Sequence, residues 1–132
     1  MPVVDASVWV AALYNEDKFH REAQNIIDDL ITSGDVISVP TLVFVEVAGV
    51  LKRLTQNVKT VEQAIVRMKK MELDVWELDS EEMEPKATDI AAHYGVRGAD
   101  ACYIAVARLT SSVLFTFDKK QKEAYEEVAK SF

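Results

Sequence analysis

The chain is poor in the residues that staple, bridge or punctuate a small fold: one cysteine, two histidines, three prolines and four glycines in 132 residues. With Cys102 alone, an internal disulfide is excluded, and its neighbours Ala101, Tyr103 and Ile104 mark it as a small core residue. His20 and His93 lack metal-ligand spacing and read as ordinary helix residues. No uncharged apolar run approaches the ~18 residues of a membrane span. The opening MPVVDASVW has no basic leader before a long apolar core, so no signal peptide is expected. Basic residues are also scarce, with 15 Lys and Arg against 22 Asp and Glu for a net charge of −7. That balance argues mildly against nonspecific binding of nucleic acid by charge alone; it leaves room for a local basic rim and favours weak or metal-dependent binding. A cytoplasmic protein fits these absences.

What is present is a core. Hydrophobic residues make up 49% of the chain and charged residues 28%, enough apolar surface for one domain over residues 1–132. There is no internal repeat, low-complexity tract or linker. Short β-branched runs alternate with longer helical patterns. Residues 2–5, 36–39, 74–78 and 112–117 read as strands. Between them lie helical stretches at 7–14 and 18–33, the latter closed by Gly34. Pro40 is expected in the first turn of a helix reaching Leu54, and Thr60 is expected to cap the next one. A further helix with Pro85 in its first turn ends at Gly95, residues 99–109 form another, and an amphipathic helix follows Asp118. Apolar strands separated by helices imply a parallel sheet covered on both faces. The expected fold is therefore α/β, a three-layer α/β/α sandwich around a parallel sheet of four to five strands.

One residue resists this scheme. In LVFVEVAGVL, residues 42–51, Glu46 shares a helical face with Leu42, Val43, Gly49 and Val50. A lone buried carboxylate costs several kcal/mol, so Glu46 needs a partner. Three other acids sit at telling positions. Asp5 ends the first strand and Asp118 follows the last, which puts both at the carboxyl edge where open parallel sheets bind ligands. Asp100 falls in the first turn of a helix. Each of these three could simply cap or stabilise a helix N-terminus, and Ser7 and Thr116 could be ordinary capping or strand residues. Capping does not explain Glu46, and it leaves Asp100 odd ahead of the apolar Ala101, Cys102, Ile104 and Ala105.

The alternative is one acidic pocket. Clustered carboxylates repel unless a cation neutralises them, and an all-oxygen set suits Mg²⁺ or Mn²⁺ rather than zinc. Such a site is suited to phosphodiester hydrolysis. VVDASVWVAAL, FVEVAGVLKR, RGADACYIAVA and LFTFD, in that order and spacing across nearly the whole chain, closely resemble the four acidic motifs of PIN-domain ribonucleases. The short chain and ADACYIAVA look most like VapC-type toxins of toxin–antitoxin pairs. The resemblance implies that Asp5, Glu46, Asp100 and Asp118 are the metal-binding catalytic acids, with Ser7 and Thr116 as supporting hydroxyls. It also implies metal-dependent cleavage of single-stranded RNA, often within structured RNAs, a homodimer, and inhibition by a small antitoxin. Many relatives add a fifth strand after the last helix. This chain ends in VAKSF, so an abbreviated sheet edge is expected.

Other residues carry weaker signals. Trp9 and Trp76 read as core or interface rather than base-stacking platforms. Lys52, Arg53, Arg97, Lys119 and Lys120 read as a solvated face, although Arg97, Lys119 and Lys120 stand close enough to the acids to meet RNA phosphates. Three other functions compete. A PIN-domain nuclease of RNA processing or quality control, without an antitoxin, would use the same site. A non-catalytic Mg²⁺-dependent adhesion module would need a second serine where Trp9 stands. A phosphoacceptor regulatory module would leave Glu46 and Asp100 unexplained.

Overall fold

The computed structural model describes residues 2–131. The chain runs β1 (Val3–Val4), α1 (Ala6–Leu13), α2 (His20–Thr32), β2 (Ser38–Pro40), α3 (Leu42–Thr55), α4 (Val58–Lys69), β3 (Asp74–Trp76), α5 (Met83–Tyr94), α6 (Gly98–Leu109), β4 (Leu114–Phe115) and α7 (Lys119–Ser131). The alternation expected from the sequence is present, with strands shorter than their apolar runs.

Four strands form one parallel sheet in the order β3-β2-β1-β4 among the described residues. Val3 pairs with Ser38 on one side and Leu114 on the other, and Val4 pairs with Phe115. Helices flank the sheet: α1 packs on α2 and α3, α3 packs on α4, and α6 lies on β1, β2 and β4 between α5 and α7. Residues Ala101 to Ala107 of α6 are all buried, as befits a helix apolar on every side. Its small side chains let it approach the sheet closely. On the other group of helices, Trp9 is fully buried, and its indole N–H donates to Val4 O at 3.1 Å. A buried indole needs such an acceptor.

Two local expectations change. Pro40 closes strand β2 instead of opening a helix, because Thr41 N–H still pairs with Trp76 O at 3.0 Å and α3 starts only at Leu42. Proline suits that place, at the end of the strand, where it has no ladder N–H to lose. The cap of α4 is Asn57, whose side-chain oxygen accepts the Thr60 N–H at 3.0 Å. Thr60 thus occupies the third helical position, and asparagine outranks threonine as an N-cap. Elsewhere the punctuation stands: Gly34 and Gly95 take positive φ just past α2 and α5, a backbone region that costs glycine nothing.

The strand order fixes where a ligand can go. Connections run outward from β1 through β2 to β3, then return to the other side of β1 for β4. The reversal opens a crevice beyond the carboxyl ends of β1 and β4, where open parallel sheets bind ligands.

Candidate active site

At that crevice the first acid is already set by the backbone. Asp5 directly follows β1, and its N–H reaches Phe115 O at 3.1 Å, extending the ladder with β4. Its side chain is 5% exposed. Oδ1 accepts from Ser7 Oγ at 2.6 Å, Ser7 N at 3.0 Å and Val8 N at 3.4 Å, so Asp5 caps α1 as the sequence allowed. Burial pushes its carboxyl above the ordinary range, against the lowering effect of the Ser7 and Thr116 hydroxyls and the helix N–H groups.

Ser7 and Thr116 join the two strand ends. Ser7 Oγ gives its proton to Asp5 and accepts Phe117 N–H at 3.0 Å. Thr116 Oγ1 lies 3.4 Å from Ser7 Oγ and accepts Asp118 N–H at 3.0 Å. Both hydroxyls also support the Asp5 carboxyl. A hydrogen-bonded path thus runs from the backbone of Asp118 through both hydroxyls to the carboxylate of Asp5. Asp118 caps α7 in turn, with Oδ1 accepting Lys120 N–H at 2.9 Å and Gln121 N–H at 3.2 Å.

Glu46 has a partner that the sequence reading did not name. Tyr103, 57 positions away on α6 and 2% exposed, donates its phenol to Glu46 Oε1 at 2.5 Å. Burial and the Glu46 carboxylate push this phenol far above its usual range, so it remains a donor. A tyrosine buried within the otherwise small, apolar ADACYIAVA was the available signal, since a buried phenol requires a polar partner. Burial also raises the Glu46 carboxyl, Asp100 and Asp5 add to the rise by like-charge repulsion, and Tyr103 and Arg97 oppose it. Asp5, Glu46 and Asp100 therefore share one electrostatic neighbourhood.

Asp100, in the first turn of α6, meets Arg97 Nε at 3.4 Å. With the arginine side chain 82% exposed, this contact neutralises little. The start of α7 ties in here too, as Gln121 Nε2 donates to Asp100 O at 3.3 Å. The two helix N-termini carrying Asp100 and Asp118 are thereby braced together. Arg97, Asp100, Lys120 and Gln121 line one cavity, while Lys119 is exposed on the first turn of α7.

These donors fit a hard divalent cation by chemistry. The four acids offer oxygen alone, and the described hydrogen bonds of Glu46, Asp100 and Asp118 fall on one oxygen of each, leaving the other free. Among the described residues, Arg97 is the one cation that contributes to the electrostatics of Glu46. As the side chains stand, no group of three or more Asp, Glu, His or Cys among the described residues is arranged to hold one ion. Asp5 and Asp118 accept helix N–H groups and Glu46 accepts the Tyr103 phenol, so holding one ion together calls for these side chains to reorient.

The remaining candidates lie outside this cluster. His20 Nδ1 contacts Ala11 O at 2.7 Å and His93 Nδ1 contacts Asp89 O at 2.8 Å, both within helix packing. Trp76 bonds Asp74 Oδ2 through its indole N–H at 2.9 Å. Cys102 is buried, and burial raises its thiol, which makes it a poor nucleophile. Lys52 and Arg53 are exposed at the end of α3.

Known proteins share this fold. The fold is similar to that of VapC20 from Mycobacterium tuberculosis, a sarcin–ricin-loop-cleaving toxin, with a TM-score of 0.74 at 21% identity over 94% of this chain and 95% of that one. It is also similar to VapBC2 from Rickettsia felis, solved bound to a DNA fragment from its promoter, with a TM-score of 0.68 at 12% identity over 92% and 90% of the two chains. Comparison with curated protein sequences found no match. The PIN domain family model matches residues 3–127, nearly the whole chain, and this protein belongs to the PIN domain family.

Proposed function

We propose that the chain is a metal-dependent endoribonuclease that hydrolyses RNA phosphodiester bonds at Asp5, Glu46, Asp100 and Asp118, and that it is the toxin of a toxin–antitoxin pair. The observation that carries this reading is Glu46, a half-buried carboxylate on an apolar helix, facing two further acids and anchored by a phenol instead of a base. Burial and neighbouring like charges disfavour the ionised form of Glu46, and a bound cation would favour it.

In this reading the four carboxylates hold Mg²⁺ or Mn²⁺, which when bound activates water and neutralises the charge developing at phosphorus. The protein's own groups do the positioning. Ser7 and Thr116 keep the Asp5 carboxylate ionised and fixed. Tyr103 fixes Oε1 of Glu46 and leaves the other oxygen to a metal. Arg97 and Lys120 line the cavity at Asp100 and meet flanking phosphates, compensating locally for the net charge of −7. No histidine base is required.

The toxin assignment draws on the fold likeness to VapC20 and VapBC2 and on an apolar groove beside Glu46. Val45 and Leu78 on that groove are 74% and 52% exposed, more apolar surface than a helix facing water needs. A small antitoxin that buries this surface would also cover the acids. A homodimer is part of the proposal, with the exposed Val58 and Val66 of α4 available to it.

The test is incubation of purified protein with structured RNAs in Mg²⁺, in Mn²⁺ and in chelator. Cleavage in either metal and none in chelator is expected; cleavage that survives chelation would overturn metal dependence, and no cleavage in any condition would overturn the nuclease. Rescue of growth by a small protein encoded next to this gene tests the antitoxin. Sedimentation as a monomer at micromolar concentration would remove the dimer alone.

A further inference from the structure

The acids form only one wall of the crevice. Beyond Ser7 and Asp118 it continues into a cavity of about 510 Å³, walled by Val10, Val50, Phe19 and Phe117. Phe19 and Phe117 stack with centroids 4.8 Å apart and ring planes 23° from parallel. Both side chains are set from the backbone. Phe117 N–H is held by Ser7 Oγ at 3.0 Å, the hydroxyl that also supports Asp5. Phe19 N–H is held by Asp17 Oδ1 at 2.8 Å, immediately before α2. Phe19 nonetheless remains 36% exposed, and the Lys18 ammonium stands 5.0 Å from its ring centroid with no acidic partner described.

We propose that this aromatic groove is a nucleobase subsite, taking one unpaired base of the RNA strand beside the phosphate held at the acids. The proposal rests on the nuclease reading above and narrows its substrate to strands that can present an unstacked nucleotide. Three features of the groove select this occupant. Its walls are flat and apolar, matching the face of a base. Its rim carries the Lys18 ammonium, matching the phosphate attached to that base. It is also continuous with the candidate catalytic edge through Ser7 and Asp118, so base and scissile phosphate can belong to neighbouring nucleotides. A base paired in a duplex cannot enter, which directs the enzyme to loops and single strands. Trp9, fully buried, has no part in this.

The experiment uses short single-stranded oligoribonucleotides with 2-aminopurine, or an abasic site, at successive positions around the cut. Binding is read by fluorescence in chelator and cleavage in Mg²⁺ or Mn²⁺. At one position the fluorophore should be quenched on binding, and the abasic strand should bind roughly 10- to 100-fold more weakly. Phe19→Ala should bind intact and abasic strands equally weakly, and Phe19→Trp should restore the difference. Equal binding, or equal cleavage, of intact and abasic strands by the wild type at every position would overturn the subsite and leave the nuclease standing. Quenched binding without cleavage in either metal would overturn the nuclease and leave the subsite. Neither binding nor cleavage would overturn both. The abasic comparison needs no variant, so a misfolded Phe19→Ala does not decide the matter.

Discussion

The strand-edge half of the candidate site and its helical half hold their acids by different means. Asp5 and Asp118 stand at strand ends, each accepting helix N–H groups, and the Ser7 and Thr116 hydroxyls link them. Glu46 and Asp100 stand on helices, one held by a single phenol from another helix and the other by one exposed arginine. In the first half hydroxyl and backbone donors oppose the burial that raises Asp5, and Asp118 accepts two helix N–H groups. The second half has fewer donors, a phenol on Glu46 and an exposed arginine on Asp100, so under the proposed function it gains most from an added cation. Capping does not rule out a site role for Asp5 and Asp118, since one carboxylate can serve both.

The sharpest way to break this comparison is to neutralise the acids one at a time. Asp5→Asn, Glu46→Gln, Asp100→Asn and Asp118→Asn should each lower RNA cleavage by on the order of a hundredfold or more, through misplacement of water and phosphate. Their stabilities should diverge. Asparagine still caps a helix, so the two strand-edge variants should stay within about 1 kcal/mol of wild type. Glu46→Gln keeps the Tyr103 bond and sheds a half-buried charge, so it should melt a few degrees higher in chelator, roughly 3–5 °C. A lower melting temperature for Glu46→Gln would mean that this half is not charge-frustrated.

Tyr103→Phe probes the helical half without touching an acid. It should reduce kcat on the order of tenfold or more while KM and melting temperature change little, because phenylalanine fills the same volume and only the anchor on Glu46 is lost. Unchanged kcat would reduce Tyr103 to a core residue.

Acidity acts on one acid in each half, Asp5 at the strand edge and Glu46 on its helix. Asp5 and Glu46 are raised in the folded state, so over the window from the ordinary carboxylate range, about pH 4, up to their raised values the native protein binds more protons than the unfolded chain. Metal-free stability should therefore fall as pH rises through that window. Mg²⁺ or Mn²⁺ should raise the melting temperature at pH 7 to 8 and lose most of that effect near pH 4, where Asp5 and Glu46, raised by burial, are protonated. Scanning calorimetry with and without metal checks both signs, and a metal-induced rise of equal size at pH 4 would contradict them.

The smallest effect belongs to the rim. Arg97→Ala should raise KM for RNA several-fold and reduce the salt dependence of binding by about one charge, leaving kcat near wild type. No change in the salt slope would take Arg97 off the substrate.

Much of this was legible along the chain. Apolar runs between helical periods announced the α/β sandwich, and the strand-end acids announced themselves by position, because both patterns are local and repeat every two or every 3.6 residues. Glu46 was legible as a problem, a charge on an apolar face. Its solution was not legible, because Tyr103 lies 57 residues away and only the packing of α6 against α3 brings a phenol to a carboxylate. Pro40 and Thr60 were misplaced for a similar reason: a one-residue shift in a strand end or cap is decided by pairing with Trp76 and by competition from Asn57. The sequence by itself determined which residues are apolar, where the chain turns, and which four acids stand in which order. Only the tertiary structure decided that β4 returns beside β1, so that Asp5 and Asp118 share a crevice and Phe19 meets Phe117 across 98 positions of chain. Such juxtapositions depend on the order of strands in the sheet, and no periodicity along a single strand encodes that order.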